Sequence, residues 1–253
     1  MGGNSIHTIF GTTPVPPTTF TGQSPDSPVK TGEALDAVFN TARFDFIQIC
    51  VAWIRRTGVE AIAQRLEQFL SHSSNNWVNI TFGCGFGGTS SEAIRQLLEI
   101  RRAYDGRLRL RANLQTRGTF HPKIYFAQHI NTGDRAVAIG SSNLTGAALT
   151  GNNSEALLLL DTDDHSDITP FYDIENYIDK CNDDSVEQVI EIRNPQGVKE
   201  LMKAGFLSSE KKLRKRAART SNRSKRGRKR ISALRSRLGL PDLSPASGTS
   251  GTS

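Results

Sequence analysis

Cysteine is scarce in this chain: Cys50, Cys84 and Cys181 are all it has. Their number is odd and their spacing wide, and no CxxC or Cys/His cluster occurs. That argues against a disulfide framework and against a zinc site. Two of the three fall in apolar, strand-like runs, so they read as buried thiols in a reducing, cytoplasmic setting. No apolar run reaches 18 residues, which leaves no candidate membrane-spanning helix. Residues 1–30 lack both a basic start and an apolar stretch of signal-peptide length, so no secretory signal is expected. Hydrophobic residues supply only 36% of the chain, and the shortage is uneven.

Residues 1–30 are one stretch poor in core formers. The segment is rich in Pro, Thr, Ser and Gly and reads as a flexible arm. Acidic residues are missing from a second region. Between Lys211 and Arg237 stand 14 Lys and Arg and no Asp or Glu. The chain's other 18 basic residues face 25 acidic ones, so a mildly acidic body, residues 31–205, carries a strongly basic tail, 206–253. Blocks of one charge sign are commonly disordered arms that bind polyanions. Nucleic acid, DNA or RNA, is the expected partner, because it presents dense, regular negative charge. Lys211, Lys212, Arg214, Lys215, Arg216, Arg226, Arg228, Lys229 and Arg230 are the candidate contacts. No recognition helix or zinc finger accompanies them, so little sequence specificity is expected.

Within the body, the apolar periodicity alternates between strand and helix. TGEALDAVFN (31–40) suits a short helix, and FIQICVAW (46–53) a buried strand. Val59, Ile62, Ala63, Leu66, Phe69 and Leu70 mark an amphipathic helix capped by Thr57 or Gly58. WVNITFGCG (77–85) is a second strand. Thr89 and Glu92 have capping-box spacing before a helix bearing Ile94, Leu97 and Leu98. LRLRANL (108–114) alternates as a half-exposed strand. HPKIYFAQ (121–128) and RAVAIGSS (135–142) flank a short polar turn and predict a β-hairpin. SEALLLLD (154–161) is another strand, and Ile168, Phe171, Ile174 and Ile178 are spaced for one helix face. The order predicts an α/β (α+β) fold, a mixed β-sheet flanked by helices.

The hairpin carries the chemistry. Alternation puts His121, Lys123 and Tyr125 on one face, with Ile124 and Phe126 on the other, toward the core. Antiparallel pairing sets the start of the first strand opposite the end of the second, Gly140 to Asn143. Asn143 is also placed to cap a short helix from Leu144, whose N-terminus would favour an anion. The chain returns by Glu155. His121, Lys123, Ser141 or Ser142, Asn143 and Glu155 should therefore gather at one rim. A lysine, an amide and a hydroxyl can cradle a tetrahedral anion. A histidine beside them can attack phosphorus or pass a proton. A glutamate can hold the imidazole's tautomer.

Taken together, His121-Pro-Lys123, Gly140-Ser-Ser-Asn143 and Asn153-Ser-Glu155, in that order, resemble the phospholipase D superfamily. The glycine-rich FGCGFGGTSSEA also fits. The likeness covers about residues 31–180 and is greatest for the single-motif branch of small nucleases and metal-independent restriction endonucleases. It implies a phospholipase D-like sandwich and a covalent phosphohistidine. His121 would be the nucleophile. Lys123 and Asn143, aided by Ser141, would hold the phosphate oxygens, and Glu155 would orient His121. No metal and no cofactor is implied. One position departs from the family pattern: Gln128 stands where the fuller motif has aspartate, which argues mildly against lipid hydrolysis. The chemistry needs a second acid, and His7, His72, His129 and His165 have no motif around them. A homodimer with one composite site is therefore expected. The leading expectation is a DNA endonuclease. A phosphodiesterase for RNA or phospholipid, or an idle DNA-binding relative, stands as the alternative.

Overall fold

The computed structural model describes residues 19–28, 30–115, 118–162 and 168–219, apart from the Phe86 side chain. The chain divides into two compact units, Met1–Glu210 and Lys211–Ser253. The first unit thus extends past residue 205, where the sequence placed its end. The physical reason is local. Ser91 N–H donates to Ser208 O at 3.0 Å, and Glu210 N–H donates to Glu92 Oε2 at 3.0 Å, tying this segment to the body.

Eight strands form one mixed sheet. They are β1 (Thr19–Gln23), β2 (Phe46–Val51), β3 (Trp77–Gly83), β4 (Leu108–Asn113), β5 (Lys123–Gln128), β6 (Arg135–Gly140), β7 (Glu155–Asp161) and β8 (Val189–Glu191). Their order across the sheet is β1-β7-β6-β5-β2-β3-β4-β8. β2, β3 and β4 run parallel, joined by α2 (Arg56–His72) and α3 (Ser91–Ala103) as crossovers. The hairpin is as the sequence predicts: β5 pairs antiparallel with β6, Gln128 opposite Arg135 and Ile124 opposite Ile139.

Helices α1 (Thr31–Ala34), α4 (Gly146–Leu149), α5 (Thr169–Asn182) and α6 (Pro195–Lys203) complete the unit. Two cores result. The larger joins α2 and α3 to the sheet through Ile62, Leu66, Ile94, Leu97 and Tyr125. The smaller holds Phe171 and Ile178 of α5 with Cys50, Phe120, Ile124, Phe126 and Val137. Both faces of β5 are therefore covered. Tyr125, expected to share an open face with Lys123, is fully buried, and its hydroxyl donates to Ser142 O at 3.0 Å. All three cysteines are free and buried.

Several local expectations change. Thr19–Gln23, assigned to the flexible arm, is a sheet-edge strand paired with β7, Gln23 opposite Glu155. Its anchors are polar, which is why composition hid it. Buried Gln23 accepts from Thr31 N–H at 2.8 Å and donates to Ala148 O at 2.8 Å and Asn153 O at 3.1 Å. Residues 1–18 of that arm lie outside the described residues. Ser90, not Thr89, caps α3 by accepting from Ala93 N–H at 3.2 Å. Thr89 instead donates to Gly83 O and accepts from Ile54 N–H. Arg55 occupies the N-cap of α2 without a side-chain bond. Thr145, not Asn143, caps α4, a single turn of four residues. Among the described residues no helix is long and apolar enough to cross a membrane.

Candidate active site

The strand begins at Lys123, so His121 and Pro122 form its lead-in rather than its first residues. Proline suits that place, since it has no N–H to give a ladder. Its carbonyl accepts from Ala52 N–H at 2.9 Å, which pins the His-Pro-Lys segment to the end of β2. Lys123 is buried at 7% exposure, while His121 beside it is exposed. The Lys123 ammonium donates to His121 O at 2.9 Å and lies 2.7 Å from Nδ1 and 3.1 Å from Nε2 of the imidazole.

Burial, and then the neighbouring Lys123 charge, lower the His121 pKa below its ordinary 6.5. Burial also lowers that of Lys123, against an opposing pull from the Glu155 charge. The imidazole is thereby favoured in its neutral, nucleophilic form at neutral pH.

Trp53 was not foreseen from the sequence, and it organises the rim. Its ring meets His121 edge-on, 5.8 Å between centroids at 83°. Its backbone N–H donates to Asn143 Oδ1 at 3.1 Å, leaving the Asn143 Nδ2 group as the remaining donor. Its indole N–H donates to Gly85 O at 3.2 Å. A Cβ on Gly88 would lie only 2.3 Å from this ring, so this glycine of the glycine-rich stretch makes room for Trp53. Nothing in a lone tryptophan at a strand end reveals this, because the partners are 32 to 90 residues away.

Ser141 and Glu155 meet across β6 and β7. Ser141 Oγ donates to Glu155 Oε2 and accepts from Ala156 N–H at 3.0 Å, while Asn153 Nδ2 donates to Glu155 Oε1 at 3.1 Å. The carboxylate is thus engaged by Ser141 and Asn153, and Lys123 and Trp53 border the imidazole. The structure brings His121 and Lys123 together, ties Asn143 to the same rim through Trp53, and pairs Ser141 with Glu155 nearby. The expected Asn143 cap is replaced by the Trp53 bond.

The other described histidines, His72 and His129, stand apart. His129 Nδ1 accepts from Asn131 N–H at 3.2 Å and Thr132 N–H at 3.3 Å in the turn at the opposite end of β5. His72 ends α2, and His7 and His165 lie outside the described residues. In the second unit, Lys211, Lys212, Arg214, Lys215 and Arg216 are exposed on a helical stretch, 211–219. Arg226, Arg228, Lys229 and Arg230 lie outside the described residues. Among the described residues no group of three or more His, Cys, Asp or Glu side chains could hold a metal ion.

Beside His121 a cleft of about 420 Å³ opens between the β5–β6 end of the sheet and α5. Asp173, Ile174 and Tyr177 of α5 form its far wall.

No protein-family model matches this chain, and no curated protein does either. Solved structures do. NucT from Helicobacter pylori is 16% identical, with a TM-score of 0.47, over 70% of this chain and 99% of that one. Nuc from Salmonella typhimurium, described as a phospholipase D family member, is 19% identical with a TM-score of 0.46, over 71% and 99%. Phosphatidylserine synthase from Haemophilus influenzae is 17% identical with a TM-score of 0.48, over 80% and 45%.

Proposed function

We propose that this chain is a metal-independent phosphodiesterase, and that its substrate is DNA, which it cuts internally through a phosphohistidine intermediate. The observation that carries the reading is the pairing of an exposed, neutral-leaning imidazole with a buried ammonium within 3.1 Å. A surface His/Lys pair has no reason to bury its cation. A phosphate site does, because a desolvated donor acts more strongly on developing negative charge.

The step balances as follows. A ring nitrogen of His121 forms the bond to phosphorus, and the bond to the leaving oxygen breaks. A protonated histidine on the far side gives that oxygen its proton. It then takes a proton from water, whose oxygen displaces His121 and frees it. One lone pair cannot serve both Lys123 and phosphorus. Attack therefore requires the ammonium to pass its donors to the phosphate oxygens, where the Asn143 Nδ2 group joins it. Glu155 holds Ser141 in place and counterbalances the Lys123 charge. Since His121 is the one histidine among the described residues at this rim, the far-side histidine is assigned to a second copy of the chain. The basic tail favours a nucleic acid over a lipid surface, since its block of charge comes with few apolar residues to insert.

The test is direct. Wild type and His121→Ala are incubated with supercoiled plasmid, RNA and phospholipid vesicles in excess EDTA. Nicking of plasmid by wild type alone is expected. Equal nicking by both proteins would remove His121 as nucleophile. Loss of activity in EDTA would remove the metal-independent scheme. Cleavage confined to RNA or lipid would reassign the substrate.

A further inference from the structure

The cleft beside His121 has a character that phosphate chemistry does not call for. A phosphate is bound by cations and N–H groups, yet the lining away from Lys123 is mainly apolar: Pro122, Ile124, Ile139, Ile174 and the Tyr177 ring. Asp173 is the one carboxylate among the lining residues, and a carboxylate repels phosphate. The volume, about 420 Å³, falls within the range of small-ligand sites, about 300–1,000 Å³. The walls belong to different elements. β5 and β6 are held in the sheet, and α5 is anchored by Phe171 and Ile178 in the smaller core. Tyr177 is 45% exposed and lines the cleft.

We propose that this cleft is a nucleobase slot, which takes a base adjoining the scissile phosphate with its face on Tyr177 and its exocyclic amine toward Asp173. The proposal rests on the phosphodiesterase reading for the position of that phosphate. A flat aromatic base satisfies both halves of the lining, the apolar walls through its face and the carboxylate through an amine N–H. An acyl chain would cover Asp173 with no donor for it, which costs energy. A base in a Watson–Crick stack cannot enter such a slot. The substrate it fits is a single strand, or a duplex whose base has been unstacked at an energetic cost. The slot would also favour adenine, cytosine and guanine over thymine, which has no exocyclic amine.

Full-length wild type, Tyr177→Leu, Tyr177→Phe and Asp173→Ala are compared on short DNA single strands. One strand is complete, and its twin lacks the base beside the cleaved linkage. Base–aromatic stacking is worth about 1–3 kcal/mol. Tyr177→Leu should therefore lower kcat/KM roughly 5- to 150-fold on the complete strand only, and Tyr177→Phe should retain most of it. Asp173→Ala should flatten the preference over thymine. Equal losses on both strands, or no loss, would overturn the slot. A binding arm separates this outcome from failure of the reaction itself. Fluorescence of 2-aminopurine in the strand should be quenched by wild type and Tyr177→Phe but not by Tyr177→Leu, whether or not cleavage occurs. Identical quenching by wild type and Tyr177→Leu would overturn the slot even if the enzyme proves active. Retained quenching differences without cleavage would leave the slot standing and fault the reaction.

Discussion

At the scale of single residues, the site depends on a charge placed against a neutral ring. Burial disfavours protonation of His121, and the Lys123 charge acts in the same direction. Replacing the ammonium by an uncharged side chain of similar length removes the second cause and leaves most of the first. In Lys123→Met the His121 midpoint, followed by NMR of the ring, should therefore rise from its lowered position toward 6.5 without necessarily reaching it. The same variant should lose about 10²–10³ in kcat, the usual cost of removing one preorganised donor from a developing anion. An unchanged midpoint would mean that Lys123 does not act on the imidazole in solution. His121, Lys123 and Asn143 were legible in the sequence because a two-residue spacing and a hairpin register fix which groups can meet. Trp53 was not, because its contacts to His121, Asn143 and Gly85 are made by chain segments that only the folded sheet brings side by side.

At the scale of elements, the hairpin and the alternation of strands and helices before it follow from apolar patterning; the structure keeps the hairpin and runs β2, β3 and β4 parallel. The edge strand β1 was misread because TFTGQ buries polar residues. Thr21 and Gln23 face inward, and Phe20 faces out at 68% exposure. That inversion has a purpose that hydrophobicity cannot show. Gln23 satisfies backbone groups of Thr31, Ala148 and Asn153, and the last two lie in the segment carrying the chain from Asn143 back to Glu155. Gln23→Leu would keep the volume and strand these buried groups, at a cost of about 1–3 kcal/mol in unfolding free energy. The measurement is a urea midpoint, with the slope unchanged. A shift too small to detect would mean that water or a rearranged loop replaces the glutamine. The caps were misplaced for a related reason. Thr89 and Asn143 are good capping residues in isolation, but each spends its side chain on a neighbouring segment, Thr89 on Gly83 and Ile54, Asn143 on Trp53.

At the scale of the whole molecule, charge alone separates an acidic body from a basic tail in the sequence, and the first compact unit runs to Glu210. The segment up to Glu210 is held by a backbone bond to Ser91 and a bond to the Glu92 carboxylate, which leave no mark on composition. The proposed chemistry makes a demand at this scale too. In-line displacement needs a proton donor opposite His121, and the proposal assigns it to the same histidine of a second copy. A two-fold dimer then has one site that needs both imidazoles. The expectation is quantitative. Wild type and His121→Ala are mixed under conditions that exchange subunits, at constant total chain. If both histidines are required, activity follows the square of the wild-type fraction. With one part wild type in ten, about 1% of full activity should survive. If each chain acts alone, about 10% should survive. Dilution of wild type alone should lower specific activity as dimers dissociate, and sedimentation at the same concentrations should show why. A linear fall in the mixing series, or full specific activity in a proven monomer, would put the entire reaction within one chain and remove the composite site.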